Sequence, residues 1–162
     1  MSAVVEHSPL PNRHAVKTLV EGLIGRDLLI GDGMPVASKT TNVVGVYVGD
    51  RLATQAVVVI DLEGAARLGG ALGMVPRAGV EDAISERRLS NVLRDNCYEV
   101  LNVLASVFNV ADAPHVRLYE MYGPNASLPG DVAAMAQTMG SRMDLLLSIA
   151  GYGEAKLSLV VR

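Results

Sequence analysis

Residues 88–109 constrain the fold most, because this stretch contains no glycine and no proline and is long enough for several helical turns. Arg94 and Asn96 are exceptions, but at about 100° per residue seven other polar side chains fall within about 40° of one line along a helix. These residues are Arg88, Asn91, Asp95, Glu99, Asn102, Ser106 and Asn109. Most of the remaining circumference is apolar, which is the reverse of an ordinary surface helix. The pattern predicts a central helix packed on most sides, with a narrow polar strip at the surface.

The residue types in this strip favour a positioning role. Exposed helix faces usually carry long Lys and Glu side chains, whereas Asp95, Asn102 and Ser106 are short. Asn and Asp are also weaker helix formers than Ala or Glu, by roughly a few tenths of a kcal/mol each. Short amides and carboxylates on a rigid helix are suited to orienting another molecule. The alternative interpretation is the solvated face of a half-buried helix, which is a common arrangement.

Length and composition predict one soluble domain. A chain of 162 residues can bury one substantial core, so we expect a single domain over residues 1–162 with a flexible lead-in over residues 1–12. Hydrophobic residues make up 50% of the chain, yet no apolar run approaches the roughly 20 residues that span a bilayer. The N-terminus lacks a basic segment followed by an apolar one, so we expect no signal peptide and a cytoplasmic location. A net charge of −3 with interspersed signs disfavours a nucleic-acid partner.

The sequence contains no recognisable motif for a metal or a nucleophile. Cys97 is the only cysteine, which excludes an intrachain disulfide and a thiolate metal site. It falls on the apolar side of the central helix, so we expect a packed thiol and not a reactive one. His7, His14 and His115 do not have metal-ligand spacing. A serine hydrolase is disfavoured because no Gly-x-Ser-x-Gly elbow is present.

The order of elements predicts an α+β fold, in which an antiparallel sheet of five or six strands packs with two or three long helices. Besides the central helix, helices are predicted over residues 13–24 and 61–72, with one or two further turns over residues 131–139. Strands are predicted over residues 27–31, 42–48, 51–60, 115–122, 143–149 and 155–161. Residues 76–86 are expected to form a loop. Twice a helix precedes two antiparallel strands, which hints at internal duplication.

The predicted helix over residues 61–72 combines an N-cap with several glycines. Asp61 is suited to cap its first turn. Gly69, Gly70 and Gly73 fit neither phosphate-loop pattern, because no Gly-x-x-x-x-Gly-Lys-Ser/Thr or Gly-x-Gly-x-x-Gly motif is present. We therefore expect these glycines to allow close packing between helices.

The pattern Asp95-x-x-x-Glu99-x-x-Asn102 matches the Asp/Ser-x-x-x-Glu-x-x-Asn signature of the CheC/CheX/FliY family of chemotaxis phosphatases. The element order resembles this family over nearly the whole chain, and the single motif is most similar to CheX. The resemblance implies hydrolysis of the aspartyl-phosphate of a receiver-domain response regulator of the CheY type. It places the chain in chemotaxis or two-component signalling, and it implies a homodimer because CheX-like proteins are dimers.

The resemblance also implies a role for each residue of the strip. Asn102 would orient the attacking water, and Glu99 would contact a conserved lysine of the partner, so both are predicted catalytic residues. Asp95, Ser106 and Asn91 would bind the partner on the same face. The chain would need no cofactor of its own, since the response regulator would supply Mg²⁺.

Two departures from the family pattern leave other functions open. The family often has glycine one turn beyond the signature Asn, where this chain has Ser106. The helix over residues 61–72 has Ala66 three residues after Glu63, so it lacks a second signature. One alternative is a non-catalytic module of the same fold that docks a response regulator or builds a motility assembly. Another is a small-ligand sensor with a cleft near residues 123–130.

Overall fold

Residues 8–162, which the computed structural model describes, contain six strands that pair in one antiparallel sheet. The strands are β1 (Leu28–Asp32), β2 (Val43–Val48), β3 (Thr54–Ile60), β4 (Arg117–Tyr122), β5 (Arg142–Ile149) and β6 (Gly153–Val161). Their order across the sheet is β1-β5-β6-β3-β2-β4. This architecture confirms the predicted α+β fold with an antiparallel sheet of five or six strands.

The described residues also form five α-helices and two short 3-10 turns. The helices are α1 (Arg13–Ile24), α2 (Leu62–Leu72), α3 (Arg77–Glu86), α4 (Asn91–Leu104) and α5 (Gly130–Ala136). The 3-10 turns are Asp50–Leu52 and Ala105–Val107. Asn12, Asp61 and Ser90 begin α1, α2 and α4, because each side-chain oxygen accepts a backbone N–H of the first turn. The predicted cap at Asp61 is therefore confirmed.

The predicted loop over residues 76–86 is wrong, because these residues form α3. Pro76 and Gly79 suggested a loop, but Pro76 occupies the N-cap position, where its missing N–H costs nothing. Val80 and Ala83 are buried, and Ile84 packs against the same core. Their spacing of three and four residues is the helical pattern that the proline and glycine concealed.

The hairpin between β2 and β3 has a longer loop than the sequence predicted. Residues Arg51 and Leu52 have positive φ angles of 61° and 58°, so β3 begins at Thr54 and not at Arg51. The Gly49 N–H donates to the carbonyl oxygen of Ala53 at 3.0 Å and closes this loop. The predicted strand therefore started three residues too early, within a 3-10 turn.

The sheet is covered on both faces. Helices α1, α2, α3 and α4 pack on one face and form the larger apolar core. Helix α5 and the segment around Val36 cover part of the other face, where a smaller cluster of valines lies. The final five residues of β3 are fully buried, as is typical of a central strand with both faces covered.

A largely buried ion pair fixes α5 to the second face. The side chains of Arg142 and Asp144 pair at 3.0 Å and are 6% and 15% exposed. The Ser158 hydroxyl donates to Asp144 at 2.6 Å and accepts the Val36 N–H at 2.9 Å. Arg142 also donates to the carbonyl oxygen of Ala136, the last residue of α5. The pair therefore joins strands, helix and loop in one hydrogen-bonded network.

The strand order is symmetric, which supports the hint of internal duplication. Exchanging β1 with β4, β2 with β5 and β3 with β6 reproduces the same order read from the other edge. Helix α1 precedes β1 and helix α4 precedes β4, so the two helices hold corresponding places. Each half also contributes its first strand to the other half, since β1 pairs with β5 and β4 pairs with β2.

Part of the predicted lead-in, residues 1–7, lies outside the described residues. Beyond it, Ser8 and Pro11 are buried. Among residues 8–162, no helix has both the length and the apolar character needed to cross a membrane.

Candidate functional site

Helix α4 is attached to the sheet at its C-terminal end by Tyr47. The Tyr47 hydroxyl donates to the carbonyl oxygen of Leu101 at 2.5 Å, and the tyrosine is fully buried. In a continuing α-helix, the Ala105 N–H would donate to this carbonyl. Here α4 passes into a 3-10 turn, and the Ala105 N–H donates to Asn102 and Val103, so the Leu101 carbonyl needs another donor. Burial raises the pKa of Tyr47 well above its ordinary value, so the hydroxyl remains a donor.

Small residues on α2 bring that helix unusually close to α4. A Cβ at Gly69 would lie 2.6 Å from a backbone oxygen of α4, and one at Gly73 would lie 2.4 Å from Asn96 Nδ2. Asn96 Nδ2 in turn donates to the Gly69 carbonyl at 3.0 Å. A Cβ at Gly70 would meet Val80 of α3 at 2.4 Å. The prediction that these glycines serve helix packing is confirmed, and they allow α2 to pack closely against α4 and α3.

Five polar residues of the predicted strip lie exposed on α4 and the 3-10 turn that follows it. They are Asn91, Asp95, Glu99, Asn102 and Ser106. We call this set the α4 stripe. Glu99 and Asn102 are three residues apart in the same helix, so their side chains share one face.

The remaining two residues of the strip do not belong to α4, because the helix is shorter than predicted. Ser90 caps it, so Arg88 precedes the first turn. Asn109 lies beyond the 3-10 turn, and its side chain makes two hydrogen bonds to the backbone of Val116, at 2.7 and 2.9 Å. Asn109 therefore joins the end of this segment to the start of β4. Helical periodicity alone reveals neither end of α4. The Ser90 cap and the hydrogen bonds of Asn109 to Val116, which lie at these ends, do not depend on the spacing of polar and apolar residues.

The acidic groups of the α4 stripe have no ionic partner among residues 8–162. Asp95 and Glu99 are exposed, and the ion pairs of the described chain involve other residues. The Ser106 hydroxyl, by contrast, donates to the carbonyl oxygen of Val103 at 3.0 Å. The stripe thus offers two carboxylates and the amides of Asn91 and Asn102, while its hydroxyl is turned back onto the helix.

Two apolar residues beside the stripe are exposed, and the exposure of one of them, Val92, differs from the prediction. Val92 belonged to the predicted packed circumference, yet it is 57% exposed. Tyr98 is 40% exposed. Both are adjacent to the strip on a helical projection, which was the available indication that they could reach the surface.

Cys97 lies on the opposite side of α4 and is fully buried. Burial raises the pKa of its thiol to about 12. The thiolate is therefore negligible at neutral pH, which confirms the expectation of a packed, unreactive cysteine.

The described residues contain no group of three or more His, Cys, Asp or Glu side chains that could hold a metal ion. His14 lies in α1 and His115 precedes β4, and both are exposed. His7 lies outside the described residues.

Grooves border the α4 stripe at both ends. Near its beginning, a groove of about 570 Å³ runs between α3 and α4 and includes Val75 and Val92. Near its end, a groove of about 440 Å³ separates His14 and Thr18 of α1 from Ser106. A further cavity of about 750 Å³ lies beside α5 and does not include any residue of the stripe. The cavity is lined by Asp131 and Ala134 but by none of residues 123–130. The ligand-sensor alternative, which expected a cleft near residues 123–130, therefore stays a prediction.

Comparison with known proteins gives similarity in structure only. No family model matches the sequence, and no curated protein is similar to it in sequence. FliY of Thermotoga maritima is 13% identical, with a TM-score of 0.53 over 94% of this chain and 84% of FliY. The middle domain of FliM from H. pylori is 11% identical, with a TM-score of 0.55 over 92% of this chain and 84% of that chain. The crystal structure of the FliM–SpeE complex from H. pylori gives 10% identity and a TM-score of 0.55, over 92% of this chain and 80% of that chain.

These similarities establish the fold. The chain has the fold of FliY and the FliM middle domain, so the predicted resemblance to the CheC/CheX/FliY family is confirmed at the level of the fold. The narrower assignment to a single-motif CheX type stays a prediction.

Proposed function

We propose that this chain, which has the fold of FliY, is a CheX-type phosphatase for a phosphorylated receiver domain. The observation that carries the proposal is the α4 stripe, in which Glu99 and Asn102 stand exposed on one face with the signature spacing. The partner would be a response regulator of the CheY type in chemotaxis or two-component signalling. The protein would act as a cytoplasmic homodimer.

The reaction demands little covalent chemistry from the phosphatase. An aspartyl-phosphate is an acyl phosphate, and phosphoryl transfer depends mainly on in-line positioning and on neutralisation of charge. The water oxygen forms a bond to phosphorus while the bond from phosphorus to the carboxylate oxygen breaks. The electron pair of the broken bond returns to the carboxylate, and one proton of the attacking water passes to the surrounding solvent. The products are inorganic phosphate and the free aspartate of the partner.

In this proposal Asn102 positions the water. Its amide has both a donor and an acceptor, so it can hold a water molecule in one orientation. The amide is neutral and adds no repulsion beside the phosphoryl oxygens. Because α4 is held by Tyr47 and packs closely on α2, the amide would arrive in a fixed geometry.

Glu99 would bind a cation of the partner. Its carboxylate is exposed and has no ion-pair partner among residues 8–162, so it can accept a lysine ammonium from a docked protein. The partner would also bring its own Mg²⁺, so this chain would need no cofactor. Asp95 and Asn91 would contact the partner along the same face.

Ser106 is compatible with a close approach despite replacing the usual glycine. Its hydroxyl bonds back to the Val103 carbonyl, so the side chain covers its own helix and presents little polar surface. A partner meeting this position would have to displace only a small side chain.

The test uses the receiver domains encoded in the same genome, each phosphorylated with acetyl phosphate. The purified chain is expected to accelerate loss of the phosphoryl group from at least one receiver. Asn102→Ala should lower this rate by about 100-fold, and Asn102→Asp should be no better, because it adds charge beside the phosphoryl group. Gln137→Ala, which removes an exposed amide just after α5, is the matched control and should leave the rate unchanged. A wild-type rate for Asn102→Ala, or no accelerated receiver, would overturn the proposal.

The second candidate is a docking or assembly module that uses the α4 stripe for recognition alone. It is supported by the similarity to FliM in the FliM–SpeE complex, where a protein of this fold occurs in a protein–protein assembly. Binding of a receiver without any acceleration of its dephosphorylation would favour this candidate.

A further inference from the structure

Val92 and Tyr98 differ in their position from the other large apolar residues that residues 8–162 expose. The large apolar side chains that residues 8–162 expose are mostly in loops, turns and strands. Val92 and Tyr98 alone among them lie on α-helices, and both are on α4. Single exposed apolar residues need no explanation, but two on the helix that carries the candidate site form a pattern.

These two residues lie on opposite sides of the α4 stripe. At about 100° per residue, Val92 falls about 60° to one side of Asp95, and Tyr98 falls about 60° to the other. Glu99 and Asn102 lie between these limits. The exposed face of α4 therefore has a polar centre and an apolar margin on each side.

The surroundings of the two residues leave room for a partner. Val92 forms part of the wall of the groove between α3 and α4. Tyr98 lies one helical turn after Arg94, whose side chain donates to the Gly123 carbonyl in the loop after β4. Both margins thus continue into neighbouring surface and do not end at the helix.

We propose that Val92 and Tyr98 are the residues that set affinity and partner choice for the phosphorylated receiver, an inference that rests on the proposed function. Covering an exposed tyrosine and valine removes apolar surface from water, and tyrosine is enriched among the residues that dominate protein interfaces. The receiver would present a cation to Asp95 and Glu99 and apolar side chains on each side of it. The polar residues at the centre would position the attacking water, while Val92 and Tyr98 at the margins would stabilise the complex.

The test separates KM from kcat with the best receiver substrate of the panel described above. Tyr98→Ala should raise KM by about tenfold and Val92→Ser by about threefold, while kcat changes by less than about twofold. Asn102→Ala should show the opposite division, with a fall in kcat. Melting temperatures equal to that of the wild type confirm that these exposed truncations leave the fold intact.

Tyr119→Ala and Val110→Ser are matched controls, since Tyr119 is 50% exposed on β4 and Val110 is 48% exposed outside α4. Both should leave KM and kcat unchanged. KM values within twofold of wild type for Tyr98→Ala and Val92→Ser would overturn the inference, even where Asn102→Ala confirms the phosphatase.

The failure of the proposed function would be recognised separately. If no receiver is a substrate, binding of the same receivers charged with beryllofluoride and Mg²⁺ is titrated directly. Weaker binding of the Tyr98 and Val92 variants by the same factors supports the two residues as docking contacts. Equal binding by the variants, or no binding by any receiver, overturns the inference.

Discussion

Helices α1 and α4 hold corresponding places in the two halves of the fold, yet the residues at corresponding positions differ in burial and in contacts. The ninth and twelfth residues of α1 are Glu21 and Ile24, and those of α4 are Glu99 and Asn102. Glu21 is bonded to the Lys17 ammonium at 2.7 Å and to a backbone N–H, and Ile24 is 6% exposed. Glu99 and Asn102 are both exposed and free of ion pairs within residues 8–162.

The difference shows that corresponding positions of a symmetric arrangement can have opposite environments. In α1 the two positions serve the interior and the start of β1, whereas in α4 they face solvent. The topological counterpart of the signature helix is therefore α1, and not α2, where the sequence suggested comparing Glu63 with Ala66. At these two positions, α1 contributes to the interior of the fold, whereas α4 carries the residues of the candidate site.

The largest effect on stability is expected when Ile24 of α1 is replaced by asparagine, the residue at the corresponding position of α4. Ile24→Asn should lower the free energy of unfolding by about 3–5 kcal/mol, because it removes a buried side chain and places an amide in the core. Urea denaturation measures this loss. No second phosphatase site should appear, since the new amide would point inward.

The reciprocal change, Asn102→Ile, is the control for that comparison. It should leave the unfolding midpoint near that of the wild type, because the position is exposed, while it removes the amide that we propose positions water. Equal stability losses for the two variants would show that the two positions are not used oppositely.

The next largest effect is expected where the two helices end. Helix α1 ends at Gly25 in a left-handed conformation, whereas α4 has no such glycine and relies on the Tyr47 hydroxyl. Tyr47→Phe should lower the free energy of unfolding by about 1–2 kcal/mol, because the buried Leu101 carbonyl loses its donor. Tyr119→Phe, at an exposed hydroxyl, is the control and should be neutral within error in the same denaturation experiment.

Structural features that depend on the local residue pattern were predicted from the sequence, whereas features that depend on contacts between elements were missed. β-Branched runs marked the strands, and Asp61 and Gly69 were correctly interpreted because capping and close approach follow from residue type. Helix α3 was missed because Pro76 lies at its start, where a proline is compatible with a helix.

For the candidate site, the exposed positions of Glu99 and Asn102 followed from periodicity. The place of Val92 beside the strip was the only indication of its exposure, and the groove that it lines was not predicted because α3 was expected to be a loop. The two hydrogen bonds of Asn109 to Val116 join residues on separate elements, and no local rule foresees them.

The smallest effect is expected at the ninth positions, and it depends on pH. Hydrogen bonds from Lys17 and then from the Leu28 N–H hold the pKa of Glu21 below its ordinary value of 4.5. The folded state therefore gains stability from the charged carboxylate above that value, and loses it as the pH falls through the lowered pKa. Glu21→Gln should be less stable than the wild type at pH 7, and the gap should close on acidification.

The matched variant at the ninth position of α4 is Glu99→Gln. It should have the same thermal midpoint as the wild type at pH 7, because the carboxylate has no ionic contact within residues 8–162. Thermal melts at pH 7 and pH 3 for both variants complete the comparison. A stability loss at Glu99 equal to that at Glu21 would contradict it.

The exchange of first strands between the halves has a consequence for how the molecule comes apart. Strand β1 of the first half pairs with β5 of the second half, and β4 of the second half pairs with β2 of the first half. Each half therefore places its first strand beside the strands of the other half. A protease nick within residues 87–90 would leave two fragments still clasped through both exchanged strands. We therefore expect both halves to unfold in one cooperative transition. The N-terminal fragment contains Tyr47, whose hydroxyl would still donate to the Leu101 carbonyl of α4 after cleavage.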